Sequence, residues 1–214
     1  MASDPSVRHA RARFFSDSGF SADGGYEDDW AEAAFGPVRY RVPNTPARVA
    51  ALRRHDLHHV ATGYAADWRG EAEISGWELA SGAGVYPYAW LIALWGLFTG
   101  LVHHTGPTIR AFLRGRRSEN LYRTGATVEA LLAEPVSVLK ARLSVLPADA
   151  DPWSERAPLS RAGDVLALVG WSLLSLLLGV LSLIPAGMLI ALAWRPALPS
   201  LACPLRCSGA AAIS

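Results

Sequence analysis

Two stretches of the chain carry no charged residue. They are residues 83–102, AGVYPYAWLIALWGLFTGLV, and residues 165–194, from Val165 to Trp194. The first has the roughly 20 apolar positions that a bilayer crossing needs, with Trp and Tyr gathered toward its start as in an interfacial belt. Pro87 comes early, however, and Gly96 and Gly100 suit a helix packed closely into a core. A span and a core or membrane-surface helix both fit that pattern. The second stretch is rich in Leu on every face, unlike an amphipathic soluble helix. As a helix it would be roughly 45 Å long, more than the hydrocarbon thickness. It therefore predicts a membrane anchor that tilts, or breaks near Pro185–Gly187. Asp164 and Arg195 bracket it.

Ahead of the first apolar stretch the pattern turns amphipathic. Thr45 is placed to cap a helix, Pro46 suits its first turn, and Gly63 suits a left-handed end, which predicts a helix over PARVAALRRHDLHHVAT. Asp67 can cap a second helix from about Trp68 to Ser81, stopped by SGAG. Beyond residue 109, RAFLRGRRSENLYRTG predicts a helix and turn. Its basic side (Arg110, Arg114, Arg116, Arg117, Arg123) faces solvent or lipid headgroups. Residues 127–145 predict a further amphipathic helix interrupted near Pro135. The flanks read differently. Residues 1–44 are rich in Gly, Ser and Asp and predict an irregular, extended arm with one short helix near Asp29 to Ala34. The resulting division is an arm over 1–44, a helical domain over 45–146, a Pro-rich linker over 147–163, a transmembrane helix over 164–195 and a disordered tail over 196–214.

Composition narrows the function. At 214 residues the chain holds one ordinary domain with appendages. Twenty basic residues balance 19 acidic ones, so no net field draws nucleic acid to it. Cys203 and Cys207 lie in the tail with no His or further Cys nearby, and an inert pair is the expectation. Residues 1–30 are polar throughout, which argues against a signal peptide and secretion.

The candidate chemistry is concentrated in HDLHHVATGYAADWRGE, residues 55–71. Helical residues three and four apart share a face. His55, Asp56 and His59 therefore converge, together with Leu52, while His58 sits off that face, behind the site or at the surface. Glu71 falls one turn into the next helix, where antiparallel pairing brings it opposite His59, and Gly70 beside it permits a close backbone approach. Glu78, seven residues on, follows the same face and suits a supporting role. Two imidazoles and two carboxylates are the nitrogen and oxygen ligands of one divalent metal, and the lack of a thiolate disfavours a structural zinc knot. We read the fold class as all-α: a helical metal-binding domain with a C-terminal hydrophobic helix.

Other histidine patterns fit less well. A zinc protease needs Glu directly after the first His, and here Asp56 is too short for that task. A membrane di-iron hydroxylase would use several histidine boxes. His55–His59 and His103–His104 mimic two of them, but the chain has six histidines in all, one of them His9 in the arm. No isolated histidine and distant aspartates accompany the HD pair, as an HD-type phosphohydrolase would require.

The order HDxxH, eleven residues, Glu, carried here by RHDLHHVATGY and RGEAEISGWELASG, resembles the coenzyme Q biosynthesis protein four family over about residues 45–125. The resemblance implies a mostly helical, often dimeric protein holding a metal at His55, Asp56, His59 and Glu71. It implies association with membranes and with other quinone-biosynthesis proteins. It also implies a link to oxidative decarboxylation of a polyprenylated benzoate ring. Zinc leads as the metal, with Fe(II) and Mn also compatible with the donors. The expected place is the cytoplasmic face of a bacterial inner membrane, or a mitochondrial inner membrane. The long apolar helix departs from the family's compact members and marks an anchored, divergent branch. Residues 83–102 would line a groove for the prenyl tail, and Arg110, Arg114, Arg116 and Arg117 would hold lipid phosphates or the substrate carboxylate, or flank a membrane segment. Catalytic residues stay unassigned. A non-catalytic lipid-binding scaffold is the alternative to an enzyme.

Overall fold

The computed structural model describes residues 4–35, 38–154 and 156–193, and it is helical almost throughout. Eight α-helices follow one another, with one two-stranded hairpin among the described residues. They divide into two compact units, Met1–Gly179 and Val180–Ser214.

The metal-motif helices form where their caps predict. Helix α2, Pro46–Thr62, starts on the Thr45 side chain, which accepts from Arg48 N–H at 3.3 Å. It ends at Gly63 with φ +79°, a left-handed value that glycine adopts without strain. Helix α3, Trp68–Ser81, starts on Asp67, which accepts from Gly70 N–H at 2.7 Å. Gly70 does permit a close approach, though to the connecting loop rather than to α2: a Cβ there would stand 2.0 Å from the Ala65 carbonyl oxygen.

Helices α4 (Pro87–His103) and α5 (Thr105–Gly115) pack on α3. Small residues set the spacing. A Cβ on Gly96 would overlap Ser75, and one on Gly100 would press on Ala72 and Thr108, so both glycines serve the close packing their sequence suggests. Ala89, Ala93, Leu97 and Gly100 form the buried stripe of α4. Leu91, Ile92 and Val102 are half exposed or more. The helix is thus a packed element of the domain with an uncovered apolar side.

Residues 4–18 depart from the expected arm. Helix α1, Val7–Ser18, is capped by Ser6 and ended by Gly19. Val7 is buried in the main core beside Leu57, Trp77, Leu121, Leu131 and Leu139. Val7 N–H donates to the Glu134 carbonyl, just before the interruption at Pro135 that separates α6 (Val128–Ala133) from α7 (Val136–Arg142). Only Val7 and Phe15 of α1 are buried, so its periodic signal is weak. The short helix expected near Asp29–Ala34 is instead strand β1, Trp30–Phe35, antiparallel to β2, Val38–Pro43. Alternation in VRYRVP marks β2, and pairing with it overrides the modest helix propensity of WAEAAF.

Helix α8 spans Pro158–Ala193, so it starts inside the expected linker and runs on through Pro185 without a break. Its part Pro158–Leu183 is long and apolar enough to cross a membrane. Within the first unit Trp171 stacks on Trp90 of α4 at 5.3 Å, and Phe98 fills the space beside Gly179. Asp164, expected as a flank, is buried and bound by two arginines. Trp194, Arg195, the tail 196–214 and both cysteines lie outside the described residues.

Four of the five arginines of the basic patch have internal partners. Arg114 is buried and donates to the Tyr64 hydroxyl and, at 2.6 Å, to the Leu146 carbonyl. Arg116 binds Asp164 at 3.1 Å, and Arg117 donates to the Ser154 carbonyl at 3.1 Å. Arg123 reaches the Ser81 carbonyl, while Arg110 is exposed.

Candidate metal centre

His55 and His59 leave α2 one turn apart, and their Nε2 atoms come within 3.1 Å of each other. Glu71, from the first turn of α3, brings Oε2 to 3.5 Å from His55 Nε2 and Oε1 to 3.4 Å from His59 Nε2. One donor atom from each residue lies within 4.8 Å of the others, and no other group of three such ligands occurs among the described residues.

What stands behind the imidazoles decides what they can do. His59 Nδ1 is 2.9 Å from the Tyr64 carbonyl oxygen, which only accepts, so that nitrogen carries the proton and Nε2 holds the lone pair. His55 Nδ1 is 2.9 Å from Glu78 Oε1, which fixes the same tautomer. Two lone pairs then face each other at hydrogen-bond distance with a carboxylate beside them. Such an arrangement repels itself unless a cation joins it, and a divalent metal or a proton meets that need. The fixed outer hydrogen bond is how metal-binding histidines are oriented.

Glu78 is fully enclosed, and its Oε1 gathers three groups: His55, His58 at 2.7 Å and the Tyr122 hydroxyl at 3.2 Å. His58 is buried behind the site, as its off-face position suggests, and its Nε2 accepts from Leu121 N–H at 3.2 Å. His58 is therefore neutral, and burial holds its pKa below the usual value.

The electrostatics follow from this enclosure. For His55, burial opposes the charged form, but Glu78 and Glu71 outweigh it and raise the pKa well above 6.5. Burial likewise opposes ionisation of Glu78, yet His55 and His58 hold it down at about 2. Glu71 is lowered too, because hydrogen bonds from His55 and His59 overcome its desolvation.

Asp56 stands apart from the triad. It is buried and lines the same cleft, but one of its carboxylate oxygens takes the hydroxyl of Tyr26. Burial raises its pKa against the pull of His55. His103 and His104 lie at the α4–α5 junction and His9 on α1, none of them in the triad.

The cleft holds about 920 Å³ and is walled by the α2 face, Glu71, Glu78, Ala89 and Ile92 of α4, and residues of the N-terminal segment. Phe14 of α1 stacks on His59 at 4.9 Å. Sequence reasoning missed these contributors. Phe14 and Tyr26 reach the site from more than 25 positions away, and nothing local marks them. Tyr64 follows the motif helix directly, yet it acts through its carbonyl, which no sequence pattern records. The chain matches no protein-family model, no curated protein and no solved structure.

Proposed function

We propose that the chain is a membrane-associated, metal-dependent protein of quinone biosynthesis acting on a polyprenylated aromatic ring. The observation that carries the metal reading is the pair of Nε2 atoms on His55 and His59, each ring anchored through Nδ1 by an acceptor behind it, the two nitrogens converging beside Glu71. The described geometry gives three ligands; Asp56 lines the same cleft and would become the fourth only by turning its carboxylate away from Tyr26. The donor set of imidazoles and carboxylates suits zinc first, and Fe(II) or Mn as well.

A divalent ion held there supplies Lewis-acid polarisation of ring oxygens. The side chains do the rest. Glu78 keeps His55 oriented, the Tyr64 carbonyl keeps His59 oriented, and Phe14 covers one imidazole face. The apolar side of α4 borders the cleft at Ile92 and offers a course for a prenyl tail. The exposed leucines of α8 support placement at a membrane; the cytoplasmic face of a bacterial inner membrane, or a mitochondrial inner membrane, is what the family resemblance adds to the proposal. There it would work with other quinone-biosynthesis proteins, as a homodimer. The reaction class proposed is oxidative decarboxylation of the ring with dioxygen as the oxidant: the carboxyl would leave as carbon dioxide, a hydroxyl from water would take its place, and dioxygen would accept the two electrons and leave as hydrogen peroxide.

Glu71→Ala tests the proposal. Metal content of the full chain, measured by elemental analysis, falls, and quinone product is lost while helicity and membrane association persist. Unchanged product with the metal gone leaves the protein a lipid-binding scaffold and overturns the catalytic reading. Two metals per chain would favour a di-iron hydroxylase instead.

A further inference from the structure

Arg48 stands two turns before His55 on the cleft face of α2, the face that also carries Leu52, Asp56 and His59. It is half-buried, and among the described residues it forms no ion pair. Its Nη1 is held by Asn44 Oδ1. Asn44 is itself fixed, donating through Nδ2 to the carbonyls of Gly25 and Asp28 at 2.8 and 2.7 Å. Burial works against the charge of Arg48, offset only at a distance by Tyr88 and Asp56. A partly desolvated guanidinium, oriented by a neutral side chain and lacking a carboxylate, is built to receive an anion.

The cleft also limits which anion. Asp28, Asp29 and Glu32 line it on the N-terminal side and would repel a multiply charged group. Arg41 also lines the cleft but is exposed and lies over the Trp30 ring, so among the described residues there the one guanidinium fixed by a side-chain hydrogen bond is that of Arg48, which matches a planar monoanion through two parallel hydrogen bonds. The basic patch near residue 115, the candidate suggested by sequence for this task, is occupied by internal partners.

We infer that Arg48 is the anion-recognition residue of the cleft: it receives a carboxylate on a ligand whose other end meets the His55–His59–Glu71 triad, roughly 10 Å away along α2. This rests on the triad being the metal site of the proposed function, and the carboxylate it concerns is a second one, distinct from the ring carboxylate of the proposed reaction.

The experiment uses the full chain in detergent, loaded with zinc, and a rigid dianion, biphenyl-4,4′-dicarboxylate, against its monoanion, biphenyl-4-carboxylate. Zinc stoichiometry is measured first on every variant. In the wild type the dianion binds about tenfold more tightly, the worth of one charge-assisted contact. Arg48→Gln keeps the zinc and loses that advantage, and Arg48→Lys recovers part of it. An unchanged advantage in zinc-loaded Arg48→Gln overturns the inference, as does equal binding of the two probes by the wild type. Failure of the wild type to hold zinc is a different result, since it removes the metal reading itself.

Discussion

Glu78 Oε1 stands 2.9 Å from His55 Nδ1, and this contact determines which nitrogen of His55 faces the cleft. The same oxygen binds His58 and Tyr122, so one enclosed carboxylate sets a candidate metal ligand and two core groups together. Glu78→Gln keeps the shape but removes the charge, and its amide cannot satisfy two imidazole N–H groups and a phenol as well. Zinc affinity should fall about 10- to 100-fold, the usual cost of losing an orienting partner. Competition with a chromophoric chelator reads this directly. Wild-type affinity in the variant would show that His55 needs no such support.

A second prediction concerns pH. His55 holds a proton well above its ordinary pKa, so metal uptake near neutrality must release one proton and apparent affinity should climb with pH. Calorimetry in buffers of different ionisation enthalpy counts that proton. In chelator, the raised His55 pKa contributes stability below 6.5 that is lost as pH rises through its folded value. The depressed Glu78 contributes stability above 4.5 that is lost as pH falls toward about 2. Burial of neutral His58 adds to this loss and opposes the His55 effect, because the unfolded chain binds the His58 proton as pH falls through 6.5 and the folded chain does not. The Glu78 loss should show as an acid transition below pH 4.5 in urea titrations, and Glu78→Gln should shrink it to the share of Glu71, whose pKa is lowered as well.

Arg114 supports the other imidazole at one remove. It binds the hydroxyl of Tyr64, whose carbonyl holds His59 Nδ1. Arg114→Met removes the donors to the Tyr64 hydroxyl and the Leu146 carbonyl inside the core. The expected cost is about 3 kcal/mol in urea unfolding, with a smaller drop in zinc affinity than Glu78→Gln gives. A variant with native stability would mean that water replaces the guanidinium.

Local pattern carried some of this site and not the rest. Thr45, Pro46, Gly63 and Asp67 announce α2 and α3 because caps act within a few residues. The three- and four-residue spacing puts His55 and His59 together for the same reason. Asp56 shares that spacing, yet its carboxylate turns to Tyr26, thirty positions earlier, and no periodicity encodes such a partner. The arginines after residue 109 looked like a charged surface because charge is visible in sequence, whereas the backbone carbonyls that receive Arg114 and Arg117 are not. The strand Trp30–Phe35 exists through its pairing with Val38–Pro43, a non-local choice that propensity alone does not settle.

The last prediction separates the two ends of α8. Near its start Asp164 is enclosed between Arg116 at 3.1 Å and Arg156 at 2.5 Å, tying the helix to the end of α5. Asp164→Asn should cost about 2 kcal/mol in unfolding, less than a fully buried pair because both guanidiniums reach water. Further along, Leu173 and Leu177 are 63% and 56% exposed, on the helix long and apolar enough to cross a membrane. Leu173→Asp with Leu177→Asp touches neither the core nor the triad. Vesicle flotation of this double variant should therefore drop sharply, while zinc content stays at the wild-type level. Flotation that survives the two aspartates would mean that the leucine face does not enter the bilayer. The uncovered side of α4, Leu91, Ile92 and Val102, would then be the surface to change next.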